Sequence, residues 1–159
     1  MGKPNFDKLK AEGDLKGLIK LLADKDPWVR EIAVKVLGDI GYGVTVAFAL
    51  AKMLKDKSSK IRFHAVIALW RITTSAYNDD RDRIAISALI EALIDEDEGV
   101  RNSAAEMLQY MRRDIERVFV DSKAGKGAIS TLNKALKDKE VEVRRMAREV
   151  LKKMKAQKN

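Results

Sequence analysis

The chain has 159 residues, 35% of them charged, a formal net charge of +8, one histidine and no cysteine. These values suit a single compact domain and exclude a disulfide framework, a zinc knuckle and a thiol nucleophile. No apolar run reaches the roughly eighteen residues of a membrane span, and residues 1–5 lack a signal-peptide core, so the expected address is cytoplasmic, with no membrane partner.

Residues 5–12, with Phe6 and Leu9, read as an extra N-terminal helical turn. Asp14 is placed to cap a helix reaching about Ala23, with Leu15, Leu18, Ile19 and Leu22 on one face. A second helix opens at Asp26 with Pro27 in its first turn, where the missing N–H costs nothing, and Gly41 stops it after Ile40. This two-helix unit, about 14–41, recurs at about 43–74, 82–118 and 126–156. The later second helices start at Ser58 and Asp97, both good caps, and at Glu140, a poor one. Insertions fall within 73–83 and 112–126; residues 112–119 continue the preceding helix pattern and 122–127 read as loop. No strand-like alternation competes, so the fold class is all-α.

Within each unit eight positions keep identical offsets. The first copy is Leu18, Leu22, Asp24, Val29, Arg30, Ala33, Leu37, Ile40, and the second Leu50, Leu54, Asp56, Ile61, Arg62, Ala65, Leu69, Ile72. The third is Leu89, Leu93, Asp95, Val100, Arg101, Ala104, Leu108, Met111, and the fourth Leu132, Leu136, Asp138, Val143, Arg144, Ala147, Leu151, Met154. A unit of two amphipathic helices cannot bury its apolar face alone and must stack on its neighbours.

The pattern D-x-x-x-x-V-R-x-x-A-x-x-x-L resembles the HEAT-repeat family in its short form. That resemblance covers roughly residues 14–156. It implies an α-solenoid of four helical hairpins, with first (A) helices on the convex side and second (B) helices on the concave side. It also implies that Arg30, Arg62, Arg101 and Arg144 reach the aspartates of adjacent turns, Asp24, Asp56, Asp95 and Asp138, as a structural ladder fixing repeat register. Strict recurrence favours that role over a specific site, which needs asymmetry.

Catalytic sets are not found. His64 is the sole histidine and no His-Glu dipeptide occurs, so no histidine metal site can be assembled. Gly125-Lys126-Gly127 lacks the strand that precedes a phosphate loop. The expectation is a non-enzymatic protein without cofactor or metal, acting as a monomeric scaffold for a protein partner. Its charge balance, with glutamine only at Gln109 and Gln157 and acid-first pairs such as Glu12–Lys16, Glu31–Lys35 and Glu149–Lys153, resembles that of thermophile proteins and points to a thermophilic archaeal or bacterial source.

Nucleic-acid binding is the alternative. Residues 46–76 carry net +5 and 112–159 net +8, but 77–111 carry net −6, which interrupts the continuous basic stripe that backbone tracking needs. The partner site is placed instead on the second B helix. There Phe63, Ile67 and Trp70 occupy columns that hold polar residues or glycine in the other repeats, with Arg71 beside them. Spacings of four and three put the three apolar residues on one helical face. Exposure for binding and packing between repeats or beneath an insertion stand as the two readings of this cluster.

Overall fold

The computed structural model describes residues 4–74, 79–119 and 125–156, and every regular element in them is a helix. A short α1 (Phe6–Glu12) is capped by Asn5 and leaves through Gly13, whose φ of 63° lies in the left-handed region that favours glycine. Four hairpins follow: α2 (Leu15–Leu21) with α3 (Pro27–Ile40), α4 (Gly43–Met53) with α5 (Ser59–Thr73), α6 (Asp79–Ala92) with α7 (Glu98–Tyr110), and α9 (Gly125–Ala135) with α10 (Val141–Ala156). An additional helix, α8 (Arg112–Phe119), stands between the third and fourth.

Local chemistry sets most of these limits. The Asp14 carboxylate accepts from Gly17 N at 2.8 Å, Asp26 from Trp28 N at 2.9 Å and Asp97 from Val100 N at 3.1 Å, each satisfying an orphan donor of a first turn. Ser58 departs from its expected role: its hydroxyl makes no cap bond, and its own N–H donates instead to Asp56 at 2.9 Å. Helix α2 ends two residues sooner than its periodicity suggests, with Leu22, Ala23 and Asp24 in tighter i→i+3 bonds. Gly127, read as loop from sequence, lies inside α9. Residues 112–119 are helical as their pattern requires, but Met111 adopts φ −90°, ψ 14° and separates α8 from α7.

Helices α2, α4, α6 and α9 form one layer and α3, α5, α7 and α10 the other, each packed against its predecessor and successor. Ala33, Ala65, Ala104 and Ala147 are all fully buried, so the B helices approach without intervening bulk. Between them runs a continuous core that includes Leu18, Leu37, Leu50, Leu69, Leu89, Leu108 and Leu132. Helices α3 and α5 meet closely at Gly38, where a Cβ would lie 2.8 Å from the Ala68 Cβ.

Helix α1 closes the first repeat by packing on α3, with Phe6 set edge-on to Trp28 at 5.8 Å. Helix α8 packs on α6, α10 and α7 through buried Ile115 and Val118. Arg117 on α8 donates to the buried Asp82 at 2.6 Å. The helical part of the second insertion therefore wedges into the stack beside the third repeat, while α5 packs on α3, α7, α4 and α6. Of the two insertions that sequence offered as covers for the second B helix, residues 79–83 open α6 and 125–126 open α9, while 75–78 and 120–124 lie outside the described residues.

Candidate functional site on the B-helix face

The recurrent charges form a ladder along one edge of the stack. Each aspartate first closes its own turn: Asp24, Asp56, Asp95 and Asp138 accept the backbone N–H two residues on at 2.8–2.9 Å. Each arginine in turn donates through Nη1 to the carbonyl of its own repeat's aspartate, at 2.7–3.0 Å across the four repeats. The remaining donors cross to the following repeat. Arg30 reaches Asp56 through Nε at 2.7 Å and Nη2 at 3.1 Å. Arg62 grips Asp95 at 2.9 Å through both nitrogens and adds Glu96 at 3.0 Å. Arg101 Nε lies 2.9 Å from Asp138 but off the hydrogen-bond line. Among the described residues Arg144 donates to two carbonyls of its own turn, those of Asp138 and Lys139.

Burial alone would push the Asp56 carboxyl up. The Arg30 guanidinium and the Ser58 N–H outweigh it and hold the group below its ordinary value. The Asp56 and Asp95 bonds raise Arg30 and Arg62 against the same desolvation.

On the B face, Ile67 and Arg71 of α5 share a groove of about 330 Å³ with Lys35, Gly38 and Asp39 of α3 and with His64 and Ala68. Two charged clusters frame it. Asp39 accepts from Arg71 at 2.5 Å and from Lys10 of α1 at 2.7 Å. Glu31, buried on α3, accepts from Lys35 at 2.5 Å and lies 3.1 Å from Lys60 and 3.4 Å from His64 Nε2. Burial would raise the Glu31 carboxyl, but bonds from Lys35 and Lys60 keep it low. His64 is depressed by burial and by the charge of Lys35, with Glu31 opposing.

The four residues singled out from sequence thus fall on one face but in different settings. Phe63 and Trp70 are half-buried and pack on the core, Ile67 is half-buried at the groove, and Arg71 is exposed but held by Asp39. Phe63 also sets its ring edge-on to His64 at 5.5 Å. Trp70 meets Tyr110 of the next repeat, with ring centroids 5.6 Å apart, and Tyr110 is 62% exposed.

The HEAT repeats family model matches residues 15–109, more than half of the chain. The chain belongs to the HEAT-repeat family. Among solved structures, its fold is similar to that of an engineered protein (22% identity, TM-score 0.60, 98% of this chain and 41% of that one). It is also similar to a computationally designed armadillo repeat protein for modular peptide recognition (26%, 0.60, 93% and 67%) and to Cex1p (24%, 0.62, 99% and 31%). The chain therefore spans about two fifths of the first of these and about a third of Cex1p. No curated protein matches it.

As a HEAT-repeat stack, the chain adds Asp39 and Tyr110 to its B face, neither of them singled out from sequence. Asp39, Arg71, Tyr110 and Lys153 all stand nine positions after a ladder arginine, one place beyond the Gly38–Trp70–Gln109–Lys152 column. The position varies from acid to base to aromatic along the stack. That asymmetry is the signal by which Asp39 and Tyr110 could have been found. The basic residues of 46–76 divide between the layers: Lys52 and Lys55 belong to the A layer, whereas Lys60 and Arg71 are exposed on α5 of the B layer, as are Arg145, Arg148 and Lys152 on α10. Among the described residues no helix is long and apolar enough to cross a membrane.

Proposed function

We propose that the protein is a non-enzymatic scaffold that captures a protein partner on its concave B-helix face, across the first three repeats. The observation that carries this reading is the half-open groove at Ile67, bordered by Arg71–Asp39 and continued by the Trp70–Tyr110 pair. An apolar centre with aromatic and arginine neighbours and a charged rim has the composition of an interaction hot spot. The designed armadillo repeat protein, similar in fold, is built for peptide recognition, and a peptide segment is accordingly the class of partner proposed. Phe63 and Trp70 support this surface from beneath, while Ile67, Arg71 and Tyr110 meet the partner. A monomer in the cytoplasm, working without a cofactor, completes the reading.

The test is affinity capture from the native host followed by mass spectrometry, with the parent chain beside Ile67→Glu combined with Tyr110→Ala. The variant should lose the partner while its helicity and melting temperature stay near the parent's, because Tyr110 is exposed and Ile67 only half-buried. Phe63→Glu is expected instead to destabilise the stack, since Phe63 packs on the core. Partner recovery that is indifferent to the double substitution, or submicromolar, steeply salt-dependent binding of labelled DNA or RNA with no protein recovered, would overturn the proposal.

A further inference from the structure

The A layer, on the opposite side of the stack, carries a second surface. Phe48 on α4 is 55% exposed, and a groove opens on each side of it. Toward α2 the groove holds about 490 Å³ between Ile19, Leu22, Ala49 and Met53. Toward α6 it holds about 400 Å³ between Ala51, Ile84 and Ala88. Phe48 and Lys52 line both, so an apolar strip crosses three A helices with Phe48 as its central ridge.

The rim of this strip is cationic. Residues 41–55 contain no carboxylate. Lys52 and Lys55 are exposed at the second groove, and neither forms an ion pair among the described residues. Among the described residues Arg83 reaches only Asp80, at 3.5 Å, and Glu91 is the one acidic residue in that groove's lining. Both lysines are thus free to meet an incoming carboxylate.

We propose that this face docks an acidic amphipathic helix of a protein partner, with apolar side chains in the two grooves and carboxylates against Lys52, Lys55 and Arg83. Packed helices lie about 8–10 Å apart, so the grooves flanking α4 are separated by a similar distance. Residues i and i+7 of a helix are about 10.5 Å apart on one side, which fits one anchor into each groove. A second copy of this chain would set lysine against lysine. A flat bilayer would meet the Phe48 ridge first and leave the recessed apolar lining empty.

Two fluorescein-labelled synthetic helices test the assignment, both with leucine at i, i+3 and i+7, one filled out with glutamate and the other with lysine. Titrated with the full chain and followed by fluorescence anisotropy, the glutamate helix is expected to bind, more weakly as salt rises. Phe48→Ser, and Lys52→Glu combined with Lys55→Glu, should each weaken it by about tenfold or more. These are exposed positions, so circular-dichroism melts should match the parent, and Ile67→Glu on the other face should leave the affinity unchanged. Equal binding of the lysine helix, affinity retained in both variants, or no binding of the glutamate helix at about 1 mM protein overturns the proposal. Co-sedimentation with phosphatidylserine vesicles that Phe48→Ser abolishes, without peptide binding, would show a lipid-binding face in its place.

Discussion

Each ladder arginine divides its donors between two repeats, and this division sets how much its loss should cost. Arg62 is 5% exposed and satisfies two turn carbonyls while gripping Asp95 and Glu96 of the next repeat. Arg62→Ala leaves the Asp95 carboxylate, with its side chain 11% exposed, without its cation, a loss of up to about 3–5 kcal/mol. Among the described residues Arg144 makes carbonyl bonds alone, so Arg144→Ala should cost less, about 1–2 kcal/mol. Urea melts of the two variants give the ranking, and equal losses would mean that the cross-repeat pair adds nothing to stability. The same charges give the fold a pH dependence. Asp56 and Glu31 have folded-state values below their ordinary ones, so the stability they contribute is complete above the unfolded carboxylate range. It is lost as the pH falls through the depressed folded-state values. Stability at constant ionic strength is therefore expected to decline below about pH 4. Asp56→Asn should lower it at neutral pH and flatten that acid decline.

At the scale of elements, the contact between α3 and α5 is limited by backbone and not by side-chain bulk. A Cβ at Gly38 would stand 2.8 Å from the Ala68 Cβ and 2.9 Å from its Cα. Gly38→Ala raises intrinsic helix propensity by about 1 kcal/mol, yet it must push two helices apart, at about 1–3 kcal/mol for overpacking. The net expectation is a lower melting temperature, and Gly38→Ala combined with Ala68→Gly should recover part of it by restoring room. A stabilised Gly38→Ala single variant would mean that the helices yield easily. Helix α8 shows the opposite arrangement, with polar anchoring in a buried place. Asp82, 1% exposed, receives Arg117 from α8 and Arg81 from its own helix, while burial and the Asp82 charge raise the Asp114 carboxyl nearby.

Across the whole molecule, each repeat touches mainly its neighbours, so stability is a sum of repeat and interface terms. Both tryptophans, Trp28 and Trp70, lie in the first two repeats, whereas circular dichroism reports on all helices. Arg101 is the ladder residue that ties the third repeat to the fourth, through Asp138. In Arg101→Ala the dichroism transition is expected to begin at lower urea than the tryptophan fluorescence transition, as α9 and α10 detach first. Coincident transitions in that variant would show that the stack unfolds as one unit. The two proposed binding faces suit such an architecture, because the surface at Ile67 and the surface at Phe48 are built from different helices.

The all-α fold class and the repeat were legible in the sequence because both depend on local chemistry and strict periodicity. Asp14, Asp26 and Asp97 cap where their side chains can fold back on the next turn, and apolar residues at helical spacing must find a core. Sequence also brought Phe63, Ile67, Trp70 and Arg71 to one helical face, since i, i+4 and i+7 coincide on a helix whatever surrounds it. Only tertiary structure decided what each of them meets. Whether Trp70 is free or paired depends on Tyr110, forty residues away, and the hold on Arg71 depends on Asp39 and α1. Such partners are fixed by how far one repeat is rotated and displaced from the next, and by an insertion that became α8 and packed on α6 and α10. The offsets within a repeat carry no information about that rotation. They specify the unit, and the packing of side chains between units specifies the surface.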